Sequence, residues 1–163
     1  MMSLEYLAGF FDGEGCVGVY PAHQGASYHL MVQITQNSTR AADALLREIS
    51  DRFGGSVGVV ETRKHRQLHW SIGGDRGALF LESILPYLVL KLDQAIIASS
   101  YHRRRPPMSR DKRGRVLPMD HSDGRAVCER LKALKKSDFT VMADSADLVE
   151  PVTRLRPIAV VKG

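Results

Sequence analysis

Hydrophobic positions at the start of the chain fall at helical spacing. Leu4, Leu7, Ala8 and Phe11 recur every three or four residues behind Ser3, a good cap, so the pattern predicts a helix that Gly13 and Gly15 stop. The period then changes to two. Cys16–Tyr20 reads as a short strand and Pro21–Ser27 as a loop. Over Tyr28–Thr35, Leu30, Val32 and Ile34 alternate with His29, Met31 and Gln33, so a second, half-buried strand closes a long hairpin. Ser38 opens a second helix with Ala41, Leu45, Leu46 and Ile49 on its apolar face, and Phe53-Gly54-Gly55 ends it. Val57–Glu61 and Gln67–Ile72 form a second hairpin around the basic turn Thr62–Arg66. A helix over Gly73–Leu85 is interrupted at Pro86, and another covers Leu90–Tyr101 with Leu92, Ile96 and Ile97 inward. Asp123 caps a last helix, Gly124–Lys136, and the tail beyond it is less regular. Antiparallel hairpins alternating with helices predict an α+β chain rather than a doubly wound parallel sheet.

Between the last two helices the composition shifts. His102–Met119 holds seven Arg or Lys and three Pro, which reads equally as a solvated linker or as an arm that tracks phosphates. The organisation expected is a core over 1–102, a basic linker over 103–121 and a helix with its tail over 122–163 in the same domain. The 163 residues suffice for one domain with its own core. Their 23 Lys plus Arg against 18 Asp plus Glu leave a net charge of +5, which favours a polyanionic partner. Cys16 and Cys128 form neither a metal spacing nor a disulfide framework, which fits a reducing, intracellular compartment. The N-terminal stretch lacks a basic leader and two acids interrupt its apolar run, so no signal peptide or membrane span is expected.

The nonapeptide Leu7-Ala8-Gly9-Phe10-Phe11-Asp12-Gly13-Glu14-Gly15 closes the first helix and runs into the first strand. It resembles the signature of the LAGLIDADG homing endonucleases. Gln33-Ile34-Thr35-Gln36 followed by Arg40 is similar to the end of that family's second strand, and Leu85–Leu92, with Lys91, to its approach to the later helix. The resemblance spans roughly residues 3–102 and implies an αββαββα fold with an antiparallel DNA-binding sheet and added C-terminal helices. It also implies a site-specific endonuclease of the single-motif type, active in intron homing. Such an enzyme works as a homodimer on a long, near-palindromic duplex and leaves 3′ overhangs. An intron maturase or a non-cleaving nucleic-acid binder of the same fold is the alternative, with intron RNA as a partner. A bacterial or phage cytoplasm, or an organelle, is the setting it suggests.

Phosphodiester cleavage needs an activated water and neutralised charge, which a divalent metal held by carboxylates supplies. Glu14 is the acid the motif delivers where helix meets strand, and the resemblance implies that the main-chain carbonyl before it, here that of Gly13, also reaches the metal. A hard ion, Mg²⁺ or Mn²⁺, suits oxygen ligands. The chain holds no second such motif, so one acid per chain argues for a two-fold dimer that brings two copies of Glu14 together. The resemblance makes Asp12 mainly structural and gives Gln36, Arg40 and Lys91 the tasks of ordering water and offsetting phosphate charge. A cation such as Lys91 at a helix start is disfavoured, which points to a local reason for it. Gly9 and Gly13 are four apart, so a helix can approach closely there, from the same chain or from a second one. In the family two signature helices pack in this way, and Leu7, Ala8, Gly9 and Gly13 are the expected interface.

A two-stranded ribbon fits the major groove, and eight residues at ~3.3 Å each span ~26 Å of DNA. By parity with the core set, His29, Met31, Gln33 and Thr35 face DNA, with Tyr20 from the first strand. The second hairpin adds Glu61, Arg63, Arg66, Gln67 and His69. Gln33 and Gln67 suit adenine, Arg63 and Arg66 guanine or phosphate. Gly18 and Val59 are weak readers, and Trp70 belongs to the core.

Overall fold

The computed structural model describes residues 2–22, 27–61, 66–105, 112–113 and 122–144, with side chains to Lys136. Helix α1 (Leu4–Glu14) starts as expected, with the Ser3 side chain accepting from the Tyr6 amide. It leads into β1 (Gly15–Ala22) and β2 (Ser27–Asn37), and α2 (Arg40–Phe53) follows. Thr39 caps α2 in place of Ser38, its hydroxyl accepting from the Ala42 amide at 3.1 Å. That start leaves Ala41 exposed, and Leu46 and Ile49 carry the buried face. The second hairpin is β3 (Ser56–Glu61) and β4 (Arg66–Gly73), then come α3 (Gly74–Ile84), a 3₁₀ turn at Leu85–Tyr87, and α4 (Leu92–Arg104). Helix α5 (Ser122–Asp144) starts near the expected cap and continues well beyond Lys136.

The four strands form one antiparallel sheet in the order β1-β2-β4-β3. Its alternation sorts the side chains as the sequence pattern requires. Val17, Val19, Leu30, Val32, Ile34, Leu68, Trp70 and Ile72 are buried under the helices. Phe80 of α3 sits at the centre of that layer, with the rings of Phe11, Phe53 and Trp70 at 5.6, 5.1 and 5.0 Å. Burying such aromatics accounts for much of the cohesion between sheet and helices. Trp70 also donates its indole N–H to the Gly54 carbonyl at 3.0 Å, which ties the α2–β3 turn to β4. Gly55, at φ +91°, is obligatory in that turn, because an added Cβ would meet the Ser71 carbonyl at 2.6 Å.

Two apolar expectations in the later helices change. Helix α4 begins at Leu92, two residues late, because the chain before it is pinned to α1. Its buried face is Ala95, Ala98, Ser99 and Tyr101, with Leu92 and Ile97 packed against the core part-buried as expected, and Ile96 is 41% exposed. Nor is the basic run after Tyr101 a solvated linker or a free arm as far as Arg105. His102 is buried with Nε2 at 2.8 Å from Asp75, Arg103 grips Glu82 through two bonds, and Arg105 donates to the Tyr28 carbonyl. Of that stretch, 106–111 and 114–119 lie outside the described residues.

Helix α5 runs beside β1. Near its start Gly124 lies so close to Tyr28 and the Tyr101 hydroxyl that a Cβ would come within 2.8 Å of both. Further on, Val127, Cys128 and Leu131 are buried. An edge strand offers unpaired backbone groups to other chains, and a helix alongside blunts that edge.

Candidate nucleic-acid interface and metal site

The two acids of the signature have opposite surroundings. Asp12 lies one turn beyond Ala8 on the buried face of α1 and is 8% exposed. Its carboxylate accepts the Val89 amide at 2.7 Å and the Lys91 amide at 2.9 Å, so it fixes the segment that leads into α4. Glu14, the last residue of the helix, is exposed, and its carboxylate has no hydrogen bond or ion pair among the described residues.

Position makes Glu14 unusual. A helix C-terminus carries partial negative charge, so an acid there is disfavoured and a cation is welcome. The last carbonyls of a helix also lack partners within it. The Gly15 amide takes the carbonyl of Phe11, and the Lys91 ammonium donates to that of Asp12. The carbonyls of Gly13 and Glu14 remain at that end beside the free carboxylate. Hard oxygen donors at a negative helix end fit a hard divalent cation. Among the described residues no three His, Cys, Asp or Glu come together to enclose a metal.

Lys91 finds its local reason here. As the N-cap of α4 it stands at the positive end of its own helix, yet its side chain reaches the negative end of α1. Arg40 is similarly a cation at a helix start, exposed in the first turn of α2. Gln36 lies two residues past the Ile34–Gly15 pair, where its register partner is Leu68 of β4. Glu14, Lys91 and Arg40 thus each oppose a helix dipole. Charges that break a local rule are expected at functional or strained sites, and of these three only Lys91 has its compensation in the fold described above.

The face of the sheet away from the helices is polar and half-exposed. His29, Met31, Gln33 and Thr35 lie on it, and the register sets Thr35 opposite His69 and Asn37 opposite Gln67. Ser71, opposite Gln33, belongs to the same row, as do Ser56 and Val60 of β3. The parity that selects Gln67 and His69 would have selected Ser71 too. Two expected residues fall on the other row. Glu61 pairs with Arg66, which alternates with Gln67 and so shares the parity of Leu68 and Trp70. The two side chains form an ion pair at 3.6 Å. Arg63 lies outside the described residues.

Tyr20 is on the expected face but is half-buried. Its ring folds back over Gly18, where a Cβ would stand 2.7 Å from it, and its hydroxyl lies 3.6 Å from Cys16 Sγ. Burial, then the contact with Cys16, pushes the phenol pKa up.

The expected dimer face also needs correction. Leu7 and Ala8 are fully buried in this chain's own core and offer nothing to a partner. Gly9 and Gly13 are exposed, and a Cβ at either would meet nothing within 4 Å. Tyr6, 57% exposed, stacks on the ring of Phe10 beside them. Tyr6, Gly9, Phe10 and Gly13 therefore form a second stripe at helical spacing, opposite the buried one. Val89 and Leu90, 79% and 70% exposed, extend the apolar surface next to Lys91.

The family model of the LAGLIDADG endonucleases matches residues 7–89, and the chain belongs to that family. No curated protein matches the chain in sequence. Among solved structures, the fold is similar to that of the homing endonuclease I-CvuI in complex with its target. The TM-score is 0.59 and the identity 19%, over 80% of either chain. It is also similar to the LAGLIDADG homing endonuclease I-GzeII in complex with its DNA target. There the TM-score is 0.53 and the identity 12%, over 97% of this chain and 55% of that one.

Proposed function

We propose that this protein is a site-specific DNA endonuclease that works as a homodimer on a long, near-palindromic duplex and leaves 3′ overhangs. The observation that carries the reading is Glu14, an exposed carboxylate with no partner among the described residues, at the negative end of α1 and at the inner edge of a polar four-stranded sheet face. Glu14 and the Gly13 carbonyl would hold a divalent cation, Mg²⁺ or Mn²⁺. When bound, such an ion activates water and offsets charge on a phosphate. I-CvuI has been crystallised on DNA with Ca and with Mg, in keeping with this choice.

This chain's other residues have complementary tasks. Lys91, anchored on the Asp12 carbonyl, keeps an ammonium beside the carboxylate without quenching it. Arg40 offers a second cation for the scissile phosphate, and Gln36 a donor and an acceptor to orient water. One chain supplies half of the machinery, so the stripe Tyr6, Gly9, Phe10 and Gly13 packs on its copy about a two-fold axis, with Val89 and Leu90 at its border. The sheets of the two chains then lie end to end along the duplex. His29, Met31, Gln33, Thr35, Gln67, His69 and Ser71 approach the base edges.

The test is cleavage of a randomised, near-palindromic duplex pool in Mg²⁺ by the wild type and by Glu14→Gln, with the cut ends sequenced. Two-fold symmetric ends with 3′ overhangs from the wild type, and a variant that binds the same sequence uncut, are the expected results. Enrichment of a sequence without any cutting would make the protein a binder and overturn the nuclease reading.

A further inference from the structure

Lys135 has no counterpart among the residues that the sequence pattern singles out, yet the fold brings it to the DNA side of the sheet. Helix α5 starts beside Tyr28, at the outer end of the first hairpin, and runs back along β1 toward its inner end. There the Lys135 ammonium lies 3.1 Å from Cys16 Sγ and 5.9 Å from the centroid of the Tyr20 ring. Cys16, Gly18 and Tyr20 alternate along β1 on the face away from the core, and Cys16 is two residues from Glu14.

The partners of this lysine matter. A thiol and a ring face orient an ammonium without neutralising it. No carboxylate pairs with Lys135 among the described residues. A half-buried ammonium oriented by a thiol and a ring keeps its charge available to an anion such as a phosphate. The Tyr20 ring occupies the space above Gly18, so the inner half of β1 presents one fixed positive charge rather than a row of base-reading side chains.

We infer that Lys135, seated on the Cys16–Gly18–Tyr20 platform, takes a backbone phosphate of the bound duplex beside the cleavage centre. The inner half of β1 then contributes position and not sequence. This rests on the nuclease reading above and deepens it. Base discrimination falls to β2 and β4, while Lys135 adds affinity that is uniform across sequences and sensitive to salt.

The experiment is the salt dependence of binding to a fluorescently labelled duplex, by anisotropy, in Ca²⁺ so that cleavage does not intervene. It uses the full chain as wild type, Lys135→Met, Lys135→Arg and His29→Ala. Replacing Lys135 by Met keeps the apolar stem and should make the plot of log K against log salt shallower by ~0.9 for each chain bound. Base preferences, read from a duplex library, should stay as in the wild type. Lys135→Arg should restore the slope, and His29→Ala should leave it alone while relaxing one base position in each half-site. A Lys135→Met slope equal to that of the wild type, or a loss of base preference in that variant, would overturn the assignment. Should Lys135→Met fail to fold by circular dichroism, Tyr20→Leu takes its place, since loss of the ring frees the ammonium and should weaken binding without changing base preference. A wild type that binds no duplex would sink the nuclease reading itself, which keeps the two failures distinct.

Discussion

Two carboxylates two residues apart do different work because α1 turns one inward and the other outward. Asp12 is the inward one, and removing its oxygens would strand the amides of Val89 and Lys91. Asp12→Ala is expected to lose on the order of 2 kcal/mol or more in urea unfolding, because each buried amide left without a partner costs ~1–3 kcal/mol. Glu14 makes no side-chain hydrogen bond or ion pair among the described residues and stands at an unfavourable helix end. Glu14→Gln should therefore melt at or slightly above the wild-type temperature by calorimetry while abolishing cleavage. A marked drop in melting temperature would mean that Glu14 is a structural acid. The burial of position 12 was legible in the sequence, since Ala8, Phe11 and Asp12 continue one helical stripe. Its partners were not, because Val89 and Lys91 lie almost eighty residues away.

At the scale of elements, junctions hold the site together. Gly15 joins α1 to β1 with φ near −76°, which any residue can adopt, so its reason is steric. A Cβ there would come within 2.2 Å of the Phe11 ring and 2.5 Å of the Phe11 carbonyl. Gly15→Ala should destabilise by ~1–3 kcal/mol through overpacking and displace Glu14, lowering cleavage more than duplex binding.

The α3–α4 pair is clasped by Arg103 on Glu82 and His102 on Asp75. The Arg103 guanidinium holds the Glu82 carboxyl below its ordinary range, and His102 does the same for Asp75. A depressed carboxylate contributes stability above its unfolded pKa, near ~4.3 for Glu, and loses it as pH falls through the lower folded value. The melting temperature should decline over that acid window, and Glu82→Gln should flatten part of the decline. The effect will be small, because both carboxylates are solvent-accessible and screened.

On the whole molecule, helices cover one face of the sheet, α5 covers one edge, and the other face is left polar and open. A second surface is left apolar, the stripe of α1 with Tyr6 and Phe10 beside two glycines that the single chain does not need. Gly9→Leu points into open space in the monomer, so the fold should survive it. Light scattering of the variant is expected to give a monomer where the wild type gives a dimer, with cleavage lost at the same time. A wild type that is monomeric both alone and on DNA would defeat the two-fold arrangement.

The amino-acid sequence by itself determined the order of the elements, the split of β2 into a buried and an open face, and the signature segment with its two acids. Those features are written in local periodicity, which backbone geometry converts directly into faces. Parity carries more than the core set. Glu61 and Arg66 cannot share a face with Gln67 and His69, and Tyr6 and Phe10 mark the outer stripe of α1 more clearly than Leu7 and Ala8 do. Tertiary structure alone decided the rest. It carried Lys91 to the end of α1, turned His102, Arg103 and Arg105 from a basic run into internal fastenings, and laid Lys135 over Cys16 and Tyr20. Each of these contacts joins residues far apart in the chain. Such pairs are chosen by how whole elements pack, and no local pattern records that choice.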